Sequence, residues 1–260
     1  MAAYEPPLVP VTRMTLLRTI ALIALGCTLL GRPAAAEIAT DANIITAVDI
    51  SESIDSWAAA IEIDGMAQAI QAPEILQAIR NGPHGRIGFA IFAWRDGAYP
   101  ELVSWSVIAS GADARAVARR LAAGFQAFLA AEGPQPAPEP HMTDLSGAID
   151  HAAVLLLTAP FAAGRSVLNV IGNGWDNVGE GPQRARDRIV AQGVTVNGVV
   201  LGYDPGLLDY YRNTVIGGPG AFLLSAGSAG AMSDVLARKF LYDVAGGEDW
   251  PRLIAVRASR

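Results

Sequence analysis

The chain has 260 residues, 52% of them hydrophobic and 17% charged, and a formal net charge of −6. That length and apolar content can bury a large core and suit a single domain. The acidic balance repels phosphate backbones, so nucleic acid is excluded as a partner.

Residues 1–36 have the pattern of an export signal. Arg13 and Arg18 precede the apolar stretch 19–31, and Ala34 and Ala36 offer small residues for cleavage before Glu37. The apolar run is too short for a membrane span, so a stable span in the mature chain is not expected. Met14 is an alternative start with a more compact basic region. Cys27, the single cysteine, lies inside this segment, so residues 37–260 have no thiol chemistry; a lipid anchor at "ALGC" is the minor alternative. Removal of residues 1–36 leaves 16 basic against 24 acidic residues, or −8. The product is expected to be periplasmic or secreted.

"NIITAVDI" (43–50) is a continuous apolar run, as in a strand covered on both faces. A helix is predicted from 55 to about 72, with Trp57, Ile61, Met66 and Ile70 at helical spacing, and Pro73 suits the first turn of a second helix. "RIGFAIFAW" and "ELVSWSVI" read as a hairpin around "RDGAYP". An Ala-rich helix follows, and then "EGPQPAPEP", whose four prolines in nine residues dictate a loop. The second half predicts a helix over 144–157, a strand over 166–172, a helix over 182–192 and a strand over 194–202. It continues with a helical turn near "LLDYYRN", a strand over 221–225 and a closing helix over 229–244. The domain is expected over 37–250, with a loosely held tail at 251–260. Strands alternating with helices give an α/β, Rossmann-like three-layer sandwich, its central sheet mostly parallel with one antiparallel edge strand.

In such a sheet ligands bind beyond the carboxyl ends of the strands, where strand order reverses. There the first strand ends in Asp49, and Ser51 and Ser53 follow at alternate positions. One carboxylate with hydroxyls is a hard-oxygen set, suited to Mg²⁺ or Mn²⁺. A helix cap formed by the same residues is the simpler alternative.

"DISES" resembles the DxSxS motif of von Willebrand factor A domains, whose metal-ion-dependent adhesion site takes that Asp and both Ser as ligands. The resemblance implies further ligands at Thr143, in "HMTDLSGAI", and at the end of strand "LNVIG", where the family has Asp and this chain has Asn173. It implies the vWA fold over about 43–245. "GPHGRI", "TVNG" and "YYRNTVIGGPGAF" resemble a bacterial branch of A-like domains of unknown function. The implied function is a protein-binding module that captures a carboxylate of a partner through the metal. Asn173 removes one negative charge; Asp176, or Asp144, could compensate, and Trp175 and Asn177 could form the rim. Asp176 equally suits a loop residue bonding its own backbone.

No GxSxG elbow, Ser–His–acid triad or GxGxxG is present, and Ser51 stands where haloacid-dehalogenase-type phosphatases need an acid. An enzyme is therefore not expected, and a metal-dependent hydrolase is the least favoured reading. A structural A-like domain without bound metal is the main alternative to the binding module.

Overall fold

The computed structural model describes residues 38–50, 56–95, 97–132, 143–227 and 229–246. The predicted leader, the Ser51 and Ser53 positions, the proline-rich loop and the predicted tail lie outside them.

The described chain opens with β1 (Ile38–Thr40), β2 (Asn43–Asp49), α1 (Ser56–Gln71), α2 (Pro73–Asn81), β3 (Ile87–Trp94) and β4 (Glu101–Ile108). It continues through α3 (Gly111–Glu132), α4 (Leu145–Leu157), β5 (Phe161–Ala163), β6 (Ser166–Gly172) and α5 (Pro182–Ala191). It closes with β7 (Val194–Leu201), α6 (Pro205–Tyr210), a π-helical turn (Tyr211–Val215), β8 (Leu223–Ala226) and α7 (Ala229–Ala245). Six strands form one sheet in the order β4-β3-β2-β6-β7-β8, antiparallel only between β3 and β4. The expected α/β fold, mostly parallel with one antiparallel edge, is the observed one.

The differences from the sequence reading are local. β1 and β5 pair as a separate two-stranded ribbon that the sequence did not suggest, because three residues are too few to carry a period. The last strand starts two residues later than predicted. Phe222 precedes it, and its N–H donates to Asn197 Oδ1 (3.1 Å) instead of joining the strand proper. The "LLDYYRN" turn is α6 run into the π-turn, with the α6 start capped by Asp204, which accepts from the N–H groups of Gly206 (2.7 Å) and Leu207 (3.2 Å).

β2 is buried at every residue because helices cover both faces. On one face, Ile44, Val48 and Ile50 pack with α1, α2, α3 and α7, through residues such as Met66, Ile75, Leu121 and Leu236. On the other, Ile45 and Ala47 pack with α4, α5 and α6 through Leu145, Ile149, Ile189 and Leu207. A polar row interrupts the first layer. Thr46, Asn169 and Asn197 lie opposite one another on β2, β6 and β7, and the fully buried Lys239–Asp243 ion pair (2.9 Å) of α7 lies over them. Asp243 accepts from the side-chain amides of Asn169 (2.9 Å) and Asn197 (3.0 Å), and Lys239 Nζ reaches Thr46 Oγ1 (3.4 Å). This network fixes α7 against the three central strands. No described helix is long and apolar enough to cross a membrane.

Candidate metal centre

β3 lies on one side of β2 and β6 on the other, so the order reverses at β2, and the carboxyl ends of β2 and β6 frame a crevice. Asp49 closes β2 opposite Trp94 and is completely buried. Gly172 closes β6 beside it. A Cβ on Gly172 would lie 2.8 Å from the Tyr211 hydroxyl and 3.0 Å from Asp49 Oδ2, so only glycine lets these groups approach the strand end.

Thr143 precedes α4 and is held by a two-way clasp: its N–H donates to Asn177 Oδ1 (2.8 Å), and its carbonyl accepts from the Asn177 N–H (3.1 Å). A Cβ on Gly174 would meet Thr143 Oγ1 at 3.4 Å. Asn173 therefore sits in a loop that borders Asp49 through Gly172 and Thr143 through Gly174. The fold brings Asp49, Thr143 and Asn173 to one end of the sheet, with Asn177 as the brace between the last two loops. Ser51 and Ser53 lie outside the described residues.

The two acids considered as substitutes for the missing charge have other partners. Asp144 caps α4, where Oδ1 accepts from the Gly147 N–H (2.7 Å) and the Ser146 hydroxyl (3.2 Å). Its Oδ2 accepts from the Tyr99 hydroxyl (2.8 Å). Compensation by Asp144 would break that cap. Asp176 Oδ1 accepts from the Leu145 N–H (3.0 Å), so Asp176 braces a helix 31 residues away and not its own loop. Its second oxygen is buried without a hydrogen-bond partner. Trp175 is exposed and lies against Gly206 at the start of α6. His151, which stacks on Tyr99 (4.7 Å between centroids) and meets Phe92 edge-on (4.8 Å), is a packing residue.

Two further groups carry chemistry that the sequence reading did not single out. Glu62, in the second turn of α1, is 1% exposed, and neither carboxylate oxygen has a hydrogen-bond partner. The Tyr211 hydroxyl is likewise buried and unpartnered. Burial, and then the charge of Asp49, push the Glu62 carboxyl well above its usual range. Burial pushes Tyr211 up, reinforced by Asp49, Tyr210, Glu62 and Asp176. Asp176 is raised mainly by burial. The groups acting on Glu62 and Tyr211 are all acids or phenols. The signal for Glu62 was available: it lies three and four residues from Ala59 and Met66, on the buried stripe of the helix.

A fully buried carboxylate beside a hydroxyl and an amide carbonyl is a donor set that suits a hard cation. Among the described residues no three His, Cys, Asp or Glu side chains gather to hold a metal, and a donor set with Asp49 as its carboxylate does not require such a group.

Solved structures share the architecture at low identity. Proximal thread matrix protein 1 from the mussel byssus, in a form with a zinc-occupied MIDAS motif, is 18% identical over 80% of this chain and 49% of its own, with a TM-score of 0.52. The vWF domain of the type V pili tip protein Mfa5 from Porphyromonas gingivalis is 9% identical over 80% of this chain and 97% of its own, also at 0.52. The pilus adhesin SpaC from Lactobacillus rhamnosus GG is 12% identical over 79% of this chain and 31% of its own, at 0.51. The chain thus spans about half the length of the mussel protein. No curated protein matches it. At such identities the likeness is one of fold, von Willebrand factor A-like. Residues 39–248 match the family described as "Protein of unknown function (DUF1194)", and the chain belongs to that family.

Proposed function

We propose that the protein is an exported binding module in which a divalent cation, Mg²⁺ or Mn²⁺, held by Asp49, Ser51, Ser53, Thr143 and Asn173, captures a carboxylate of a partner protein. The observation that carries this reading is the meeting of Asp49, Thr143 and the Asn173 loop at the reversal point of the sheet, with the Asp49 carboxylate fully buried there. When bound, the cation supplies an electrophile for a partner's carboxylate oxygen. Asp49 supplies the charge that holds it, the hydroxyls and the Asn173 carbonyl complete the shell, and Asn177 keeps the Thr143 loop in place. Trp175, exposed on the same loop, forms part of the rim. Among the described residues no constellation favours catalysis over binding, and the reading is that of a binding module.

Calorimetric titration with Mg²⁺ and Mn²⁺ tests the reading. Binding is expected in the intact protein and not in Asp49→Asn, and absence of heat in both at millimolar metal refutes it. The second reading, a structural A-like domain without metal, is favoured by Asn173. In that case partner capture from an envelope extract is indifferent to EDTA. Export with removal of residues 1–36 is checked by N-terminal sequencing of the protein from the periplasm or medium.

A further inference from the structure

Among the Phe, Trp and Tyr side chains described, only Trp175 and Tyr203 are exposed, at 47% and 69%. They follow the carboxyl ends of β6 and β7, which are neighbours in the sheet, so the two rings belong to adjacent loops. One exposed ring carries no meaning by itself, whereas two on adjacent loops make an apolar patch. Each rests on a glycine. A Cβ on Gly227 would fall 1.6 Å from Tyr203 Cε2, so a side chain there would displace the ring. A Cβ on Gly206 would lie 4.0 Å from Trp175 Cζ2 and 3.2 Å from Asp204 Oδ1, so the indole and this carboxylate flank the same backbone position. Residues 173–181 and 202–211 hold four acids and no base. Glu180 pairs with Arg184, Asp209 pairs with Arg212, and Asp176 is tied to the Leu145 N–H. Asp204 is exposed and has no ion-pair partner among the described residues. Its Oδ1 alone accepts the two capping N–H groups, and Oδ2 accepts neither.

We propose that Trp175, Tyr203 and Asp204 form a docking surface for an arginine-bearing segment of a partner protein, with the guanidinium on the aromatic faces and paired with Asp204. A cation satisfies both halves of the surface at once, because ring quadrupoles and a carboxylate both attract positive charge. Arginine fits better than lysine: its planar guanidinium stacks on a ring, sheds water more readily and donates in a fork to a carboxylate. The formal charge of −6 on the chain favours the approach of such a segment. The surface shares the loop after β6 with Asn173 but contains none of the proposed cation ligands, so it goes beyond the cation-binding reading and stands without it.

The test is fluorescence anisotropy of a labelled peptide that alternates Arg and Gly, titrated in EDTA with the intact protein and with Trp175→Ala, Tyr203→Ala, Asp204→Ser and the double variant Trp175→Ala/Asp204→Ser. Serine keeps the helix cap and removes only the charge; Asp204→Asn takes its place if the unfolding midpoint falls. Each single variant is expected to weaken binding by about threefold or more, and the double variant by about tenfold or more. The same peptide with lysine for arginine should bind more weakly, and with neutral citrulline it should not bind. Asp64→Asn, which removes an exposed acid from α1, should bind as the parent does and so controls for general attraction to an acidic protein. No binding of the arginine peptide by the parent, or unchanged affinity in Trp175→Ala and Asp204→Ser, overturns the proposal. Equal binding of the lysine or citrulline peptide, or an equal loss in Asp64→Asn, also overturns it. Capture of a neutral oligosaccharide in place of the peptide, lost in Trp175→Ala, reassigns the surface to a glycan and overturns it as well. Because EDTA removes free divalent cations, failure here leaves the cation reading untouched.

Discussion

Asp243→Asn removes the acid from the buried pair beneath the sheet while keeping its shape. In the parent, Lys239 and Asp243 are both fully buried, 2.9 Å apart. Without the carboxylate, the ammonium loses its counter-charge and keeps only neutral partners, the Thr46 hydroxyl at 3.4 Å, the Phe240 ring at 3.8 Å and the carbonyl of the new amide. Burial already pulls Lys239 below its ordinary value of 10.5, and Asp243 is the group that opposes this. The variant's cheapest escape is to fold with Lys239 neutral, which at pH 7 costs about 1.4 kcal/mol for each pH unit below 10.5, or about 5 kcal/mol. The unfolded chain then binds one more proton than the folded one, so the variant gains stability as pH rises. Its deficit against the parent should shrink by about 1.4 kcal/mol per unit, to about 2 kcal/mol at pH 9.

Lys239→Met should cost less, about 3 kcal/mol, because Asp243 keeps the Asn169 and Asn197 amides. Urea unfolding followed by far-ultraviolet circular dichroism at pH 7, 8 and 9 measures all three proteins. A deficit for Asp243→Asn that does not change with pH, or a greater loss in Lys239→Met, would refute this account of the pair.

Glu62 should give the opposite pH dependence in EDTA. Its folded carboxyl titrates above the ordinary 4.5, so its contribution is fully present below that value and is lost as pH rises through the folded value. The stability gap between Glu62→Gln and the parent should therefore widen in favour of the variant from pH 5 to 8, and a constant gap counts against a buried ionisable Glu62. Gly172→Ala should cost about 1–3 kcal/mol by crowding the Tyr211 hydroxyl and Asp49. It should also weaken Mn²⁺ binding by about tenfold or more, and normal affinity would show that the Asp49 carboxylate does not depend on that space.

The sequence by itself determined the alternation of strands and helices, because an apolar run such as 43–50 and the 3.6-residue spacing of α1 state locally which surfaces must be covered. It also placed Asp49 at a strand end and Thr143 before a helix, since both positions follow from the adjoining elements. It did not determine what those residues face. The Asp144 cap was open to reading from its neighbours, but its Tyr99 partner comes from the β3–β4 hairpin and the Leu145 contact of Asp176 from 31 residues away. Glu62 carries no motif, and Tyr211 lies in the "YYRNTVIGGPGAF" stretch with no role legible from it; both are notable because the fold buries their polar atoms without a hydrogen-bond partner, within the field of Asp49. Periodicity encodes which side of an element is buried, whereas the company a buried group keeps depends on the packing of segments far apart in the chain. That packing, and with it the electrostatics of the site, was decided by the tertiary structure alone.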